Sequence, residues 1–250
     1  MPPIRKGDGT PVEPKGVSKI RTGDGRILFD GPAIPDSVVD DLESGDLTRY
    51  QGDTGTFSVV LGGVAGEFAI ESDGSNDNLI YSDDPIDDFI PTKGMSISFF
   101  GRSEFSFGDS PQAGFAFCLS GTSTSDMTGY YTDMAHGQND DGKIRILRID
   151  DGNIDGEDIL REDIPSEIDL GNWFEIELFL HDGNGGELNN TIEMVIHQID
   201  QTTGDRQNSF AIGTVQDDNY LDQDQFFGWV CGGSGNVEKF GDEYKITGTI

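Results

Sequence analysis

The sequence predicts an all-β chain folded as a single antiparallel sandwich or barrel. Three observations predict it. From residue 36 onward the apolar residues come in short runs, either alternating with polar residues or continuous, and clusters of Gly, Asp, Asn and Ser separate the runs. No stretch keeps apolar residues at helical spacing for long enough to form a long helix. The part of the 250-residue chain that follows residue 35 also has the length of one all-β domain.

The elements follow in order. Residues 56–62 (TFSVVLG), 67–72 (EFAIES) and 78–82 (NLIYS) are short runs rich in β-branched and aromatic residues between Gly- and Asp-containing turns. In 95–105 (MSISFFGRSEF) Ser alternates with apolar residues, as a strand with one polar face requires. Residues 113–121 (AGFAFCLSG) and 225–233 (QFFGWVCGG) are almost continuously apolar, and 129–136 (GYYTDMAH) is a mixed run. Residues 143–150 (KIRILRID), 157–162 (EDILRE), 172–182 (NWFEIELFLHD) and 190–200 (NTIEMVIHQID) alternate again. Residues 209–215 (SFAIGTV) and 243–249 (EYKITGT) complete the set. Trp173 and Trp229 lie in apolar strands and are expected in the core.

Residues 1–35 differ. They are rich in Pro, Gly and charge and contain an echo, IRKGDGTPV at 4–12 and IRTGDGRIL at 20–28. Each reads as strand, turn and strand, with Gly-Asp-Gly supplying the positive φ of a tight hairpin. The region is expected to be an anchoring β-hairpin arm, 1–35, ahead of a sandwich spanning 36–250.

The formal net charge is −31, from 47 Asp plus Glu against 16 Lys plus Arg, with pI near 4.1. An acidic disordered tail would be poor in aromatic residues, whereas these make up 10% of this chain, so the chain is expected to fold. With the acidic groups spread along its length, it offers no basic patch to displace counterions from phosphates, which argues against nucleic acid as a partner. Such a surface repels itself unless salt screens it, the Debye length falling to about 3 Å at 1 M. Thirty-three of the acidic residues are Asp and only seven residues are Lys, which points to a high-salt habitat. The N-terminus, MPPIRKGDGTPVEP, has no apolar core, and no run approaches a membrane span, so neither a signal peptide nor membrane insertion is expected. Cys118 and Cys231 stand in apolar runs, as buried thiols or as one disulfide joining strands; the thiol reading is favoured.

Several stretches, taken in order, resemble the landmarks of concanavalin A-like jelly rolls. They are DDLESGDLTRYQGDTGTFSVV (40–60), GEFAIESDGSNDNLIYSDD (66–84), KGMSISFFGRSEF, LGNWFEIELFLHDG and FFGWVCGGSGNVEKFGDEYKIT. The laminin-G-type modules of haloarchaeal surface proteins and of tailed-virus virion proteins look most similar. The resemblance implies an antiparallel concanavalin A-like β-sandwich that binds carbohydrate or protein, often with a structural calcium ion. It also implies a calcium position between the opening segment and the last strand, at Glu43 and Asp242 here.

Some relatives of that fold are glycoside hydrolases, which carry E-x-D-x-E or E-x-D-x-x-E along one strand. The nearest match is SEIDLGNWFEIE. Glu167 and Asp169 fit, but Gly171 and Asn172 hold both third positions, so the general acid is missing. Glu175 and Glu177 are expected simply to face outward. His136, His181 and His197 lie in unrelated contexts and no Gly-rich nucleophile turn occurs, so no catalytic residue is assigned. The segment 122–142 places Tyr130, Tyr131 and His136 among polar residues, a candidate glycan rim.

RIDDGNIDGEDILRED (148–163) matches the calcium-loop spacing D-x-[DN]-x-[DN]-G-x5-E at Asp151, Asn153, Asp155, Gly156 and Glu162. A helix-flanked loop is excluded, because KIRILRI before it alternates like a strand, Pro165 follows and Asp158 takes the usual apolar place. Two readings remain: a calcium loop without helices, or a hairpin turning at Asp151-Gly152.

These readings make the chain a non-enzymatic structural virion protein of a haloarchaeal tailed virus, a capsid decoration or tail fibre, assembled in the host cytoplasm. Residues 1–35 would dock on other virion proteins, and a homo-oligomer of sandwiches would adhere to a host-surface glycan or glycoprotein. The alternatives are a cellular, extracellular carbohydrate-binding surface module and a diverged glycoside hydrolase.

Overall fold

Strand alternation builds two facing sheets. The computed structural model describes residues 19–21, 27–30, 37–40, 42–64, 66–72, 78–83, 95–103, 112–135, 142–154, 156–169, 171–181, 191–217, 219, 226–232 and 239–248. The strands are β1 (Lys19–Arg21), β2 (Ile27–Asp30), β3 (Ser37–Asp40), β4 (Tyr50–Gly52), β5 (Phe57–Leu61), β6 (Phe68–Ser72), β7 (Asn78–Ser82), β8 (Met95–Ser103) and β9 (Gln112–Ser120). They continue with β10 (Thr128–Ala135), β11 (Lys143–Ile149), β12 (Asp158–Asp163), β13 (Phe174–His181), β14 (Thr191–Ile199), β15 (Arg206–Gln216), β16 (Phe226–Gly232) and β17 (Lys239–Gly248). Among the described residues the only helix is a single 3-10 turn, Thr54–Thr56, and none is long and apolar enough to cross a membrane.

One sheet has seven strands in the order β12-β11-β10-β9-β16-β7-β4. The other has eight, in the order β15-β14-β13-β8-β17-β6-β5, with β3 added against β17. The strand pairs are antiparallel. β1 and β2 form a separate two-stranded sheet with Ile20 opposite Phe29, so part of the second echoed segment is paired as a hairpin. The first echo, 4–12, lies outside the described residues.

The core lies between the sheets. Ile97 and Phe99 (β8), Phe174, Ile176 and Leu178 (β13) and Met194 and Ile196 (β14) meet Phe115 and Phe117 (β9), Ile144 and Ile146 (β11) and Trp229 (β16). Phe115 stacks on Phe99 at 4.9 Å and meets Trp229 edge-on at 5.2 Å. Trp229 reaches across so closely that a Cβ on Gly241 of β17 would lie 2.1 Å from its ring, so only glycine fits there. A void of about 30 Å³ between the sheets is a packing gap, enough for a water but not a ligand. Trp173 and Trp229 are both buried, as expected.

Cys118 and Cys231 are buried thiols. Cys231 stands opposite Ala113, five residues along β9 from Cys118, or about 17 Å of strand. A disulfide needs Cα atoms within about 7 Å.

Candidate functional site

The residues singled out in the sequence do not come together. Tyr130 and Tyr131 on β10 are each 0% exposed. Tyr130 points between the sheets, stacks on Phe117 and donates its hydroxyl to Asp217 Oδ1 at 2.6 Å. Tyr131 faces the other side of the seven-stranded sheet, packs with Leu119, Met127 and Leu147, and donates to the Ile154 carbonyl. Neither ring face can receive a sugar, so neither forms the expected rim. A run of aromatics on alternating faces of a central strand is buried on both when a loop covers the second face, and the β9–β10 loop does so here. His136 lies outside the described residues.

The calcium-loop spacing is a hairpin. Asp151 and Gly152 have φ of 49° and 75°, Asp150 and Asn153 bridge, and the Asn153 N–H donates to the Asp150 carbonyl at 3.0 Å. Two successive positive φ values define the tight hairpin turn that Asp-Gly favours. Glu162 stands opposite Ile144, about 17 Å along the strand from the turn, so it cannot share a cation with Asp151 and Asn153. Asp155 lies outside the described residues.

At the second calcium position Glu43 already serves the fold. Glu43 Oε1 accepts the Glu67 and Phe68 N–H groups at 2.7 and 3.2 Å, which spends that oxygen on fixing the start of β6. Asp242 follows Gly241 on β17; its backbone is placed opposite Phe100, but its side chain is outside the description. Among the described residues no three His, Cys, Asp or Glu side chains converge as a metal site.

Structure gathers two polar constellations that the sequence reading did not. The first lies on the outer face of the eight-stranded sheet, where Glu175 and Glu177 are on the expected face but buried. Arg206 binds Glu175 through Nε and NH2 at 2.6 and 2.8 Å and Glu177 through NH1 at 2.7 Å. His197 lies 3.0 Å from Glu177 through Nε2 and 2.8 Å from Ser209 Oγ through Nδ1. Burial raises the Glu177 pKa, but His197, Arg206 and Ser96 outweigh it and hold the carboxyl below its usual range. Acid, imidazole and hydroxyl are in the order a nucleophilic serine uses. They stand, however, on successive strands of a regular sheet, whose N–H groups point at neighbouring strands and not up at an oxyanion.

The second constellation is a cleft of about 360 Å³ at one end of the sandwich. The β12–β13 loop forms one wall and the β14–β15 turn the other. They meet because β13 starts where β14 ends, Phe174 lying opposite Gln198. Gln201 stitches them: its Oε1 accepts the Trp173 N–H at 2.7 Å and its Nε2 donates to the Trp173 and Ile199 carbonyls. Ile168 is buried in the core beneath, and Arg102 lies over the Trp173 ring at 5.5 Å.

Two aspartates set the cleft's polarity. Asp169 accepts the Gly171 N–H through Oδ1 and the Asn172 amide through Oδ2, each at 3.0 Å. Asp200 Oδ1 accepts the Thr202 and Thr203 N–H groups at 2.9 and 3.0 Å, and those bonds hold its carboxyl below the usual range. Asn172, Gln198, Thr202 and Gln207 complete the polar lining.

No protein-family model matches this sequence, and no curated protein does. Solved structures do match. The legume lectin-like domain from Entamoeba histolytica matches with a TM-score of 0.55 at 11% identity, over 86% of this chain and 100% of that one. The chain has a concanavalin A-like lectin fold. The metal-free carbohydrate recognition domain of Emp46p matches with a TM-score of 0.52 at 12% identity, over 87% of this chain and 96% of that one. The exoplasmic/lumenal domain of VIP36, in a form bound to Ca2+ and Man3GlcNAc, gives 0.50 at 10% identity, over 80% of this chain and 83% of that one. Likeness at such identity carries the fold.

The segment nearest the hydrolase carboxylate pattern, 166–177, supplies one wall of the cleft and one edge of the outer-face network. What sequence reasoning missed was Asn172, Asp200 and Gln207. The signal for them was the pair of turn segments DLGN (169–172) and DQTTGD (200–205), which an antiparallel β13–β14 hairpin must bring to the same end.

Proposed function

We propose that the chain is a non-catalytic, lectin-like carbohydrate-binding module that works at high salt. The cleft between residues 168–173 and 198–207 carries this reading, because it joins carboxylates, carboxamides and a hydroxyl in a recess at the small end of the size range of ligand sites, roughly 300–1,000 Å³. The fold is shared with the carbohydrate recognition domains named above, which supports the carbohydrate reading over that of a structural virion protein. Those domains have no bearing on a virion. Docking of residues 1–35 on a larger assembly, a homo-oligomer and a cell-surface or virion location stand beside this reading as separate proposals, tested by deleting residues 1–35 and following assembly.

A glycosidase reading is weaker in this cleft. Its general acid must be protonated, whereas Asp200 is stabilised as a carboxylate. The test is a glycan-array screen of the purified chain in molar KCl. Retention on one glycan class without release of reducing sugar is the expected result, and sugar release from the bound class contradicts it. The same preparation diluted to about 0.1 M salt is expected to lose cooperative thermal unfolding, because its acidic surface is then unscreened.

A further inference from the structure

Resting on the carbohydrate reading, and going one step past it, we infer that the cleft takes a neutral sugar and holds it without a calcium ion. The donor set decides the second point. Calcium takes roughly six to eight oxygens, several of them anionic. The cleft has two carboxylates, on opposite walls: Asp169 accepts from Gly171 and Asn172, and Asp200 from Thr202, Thr203 and, at 3.4 Å, Gln207. Two carboxylates on facing walls fall short of that set. The calcium-loop spacing fails for the reason given above, and Asp133, buried on the outer face of the seven-stranded sheet, has both oxygens bound by Arg145 at 2.8 and 2.6 Å.

Neutrality follows from charge. The residues lining the cleft include two aspartates and no Lys or Arg. Arg206, which adjoins Gln207 in sequence, turns its guanidinium to Glu175 and Glu177 instead. A uronate or a sulfated sugar would therefore meet a carboxylate on each wall, while a hydroxyl can donate to a carboxylate. The amides supply the complement. Asn172 gives its amide hydrogen to Asp169, so its carbonyl oxygen remains an acceptor, and Gln198 accepts from Asn208 at 2.7 Å, so its amide nitrogen remains a donor. Sugar hydroxyls, each both donor and acceptor, need that alternation of fixed partners. Gln201, locked to the Trp173 backbone, keeps the two walls at a fixed separation, which limits the ordering cost of binding.

The test uses the full chain in molar KCl and saturation-transfer NMR with methyl mannoside, glucoside and galactoside, and with glucuronic acid, each in calcium and in EDTA. At least one neutral glycoside is expected to bind equally with and without calcium, and glucuronic acid is not. Asn172→Ala and Gln207→Ala, both at exposed positions, should each weaken that binding about tenfold with unchanged thermal unfolding. Binding lost in EDTA, or both variants binding as the parent does, would overturn this inference while leaving the carbohydrate reading in place. If none of the sugars, and no glycan on the array, binds in either condition, the carbohydrate reading itself falls, and this inference with it.

Discussion

Two acidic turns of this chain look alike in sequence and do opposite things. RIDDGNIDG at the β11–β12 turn carries the recognisable cation-loop spacing, and QIDQTTGDR at the β14–β15 turn carries none. In the first, Asp151 and Asn153 are exposed on a two-residue turn and the partner carboxylate, Glu162, is carried away down the strand. Its structural weight rests on Gly152, whose N–H donates to the Met127 carbonyl at 2.7 Å and whose missing Cβ would lie 2.3 Å from the Thr124 carbonyl oxygen. In the second, Asp200 folds back on its own loop, Gly204 N–H closes the turn onto the Asp200 carbonyl at 2.9 Å, and the carboxylate is left on the wall of a cleft. Spacing along the chain says where carboxylates are; strand register says whether they meet.

That contrast can be broken most strongly at the glycines. Gly152→Ala should cost about 3 kcal/mol, since the left-handed backbone and the collision with the covering loop both count against it. Gly204→Ala, with a similar φ of 73° but its nearest neighbour 3.7 Å away, should cost only about 1 kcal/mol. Denaturation midpoints in molar KCl compare them, and equal losses would erase the distinction.

A smaller effect is expected at the base of the first turn. Asp217 joins the end of β15 to Tyr130 and to Arg148, which also holds Glu157 beyond the turn at 2.7 Å. Burial raises the Asp217 pKa, but the bonds from Tyr130, Arg148 and the Asn219 N–H prevail and depress it below 3.8. A depressed carboxyl stabilises the fold above its unfolded value and ceases to do so as pH falls through the folded one. Stability should therefore decline below about pH 4, and Asp217→Asn should lose about 2 kcal/mol at neutral pH with a shallower acid limb. Urea midpoints across pH read both; an unchanged acid limb would remove Asp217 from the account. Smallest is Tyr131→Phe, which forfeits one hydrogen bond to Ile154, about 1 kcal/mol, and should leave sugar binding untouched.

Much of the fold was legible because alternation reports it directly. NLIYS is β7 residue for residue, and the limits of β8, β9, β11, β13 and β14 fall within two residues of the runs that predicted them. β3 and β4 were missed: each is a short edge or add-on strand without a period of its own, held by pairing with β17 and β7. The Asp151-Gly152 hairpin was legible as turn chemistry and Trp229 as core. The site was not, because its parts are polar residues in two loops that only the β13–β14 register brings together, and because Tyr130 and Tyr131 look like a rim until the covering loop is placed. His197 meets Ser209 and Glu177 only across three strands, a relation that local context cannot show.

The central claim is that the second acidic turn, and not the region around Tyr130 and Tyr131, faces the sugar. The most direct measurement is a titration of the 15N-labelled chain with the best-bound neutral glycoside in molar KCl, following backbone amide shifts. The account predicts that perturbations gather on residues 168–173 and 198–207, including the Thr202 and Thr203 N–H groups that Asp200 holds. Perturbations centred on residues 121–136, with the cleft amides unmoved, would contradict it.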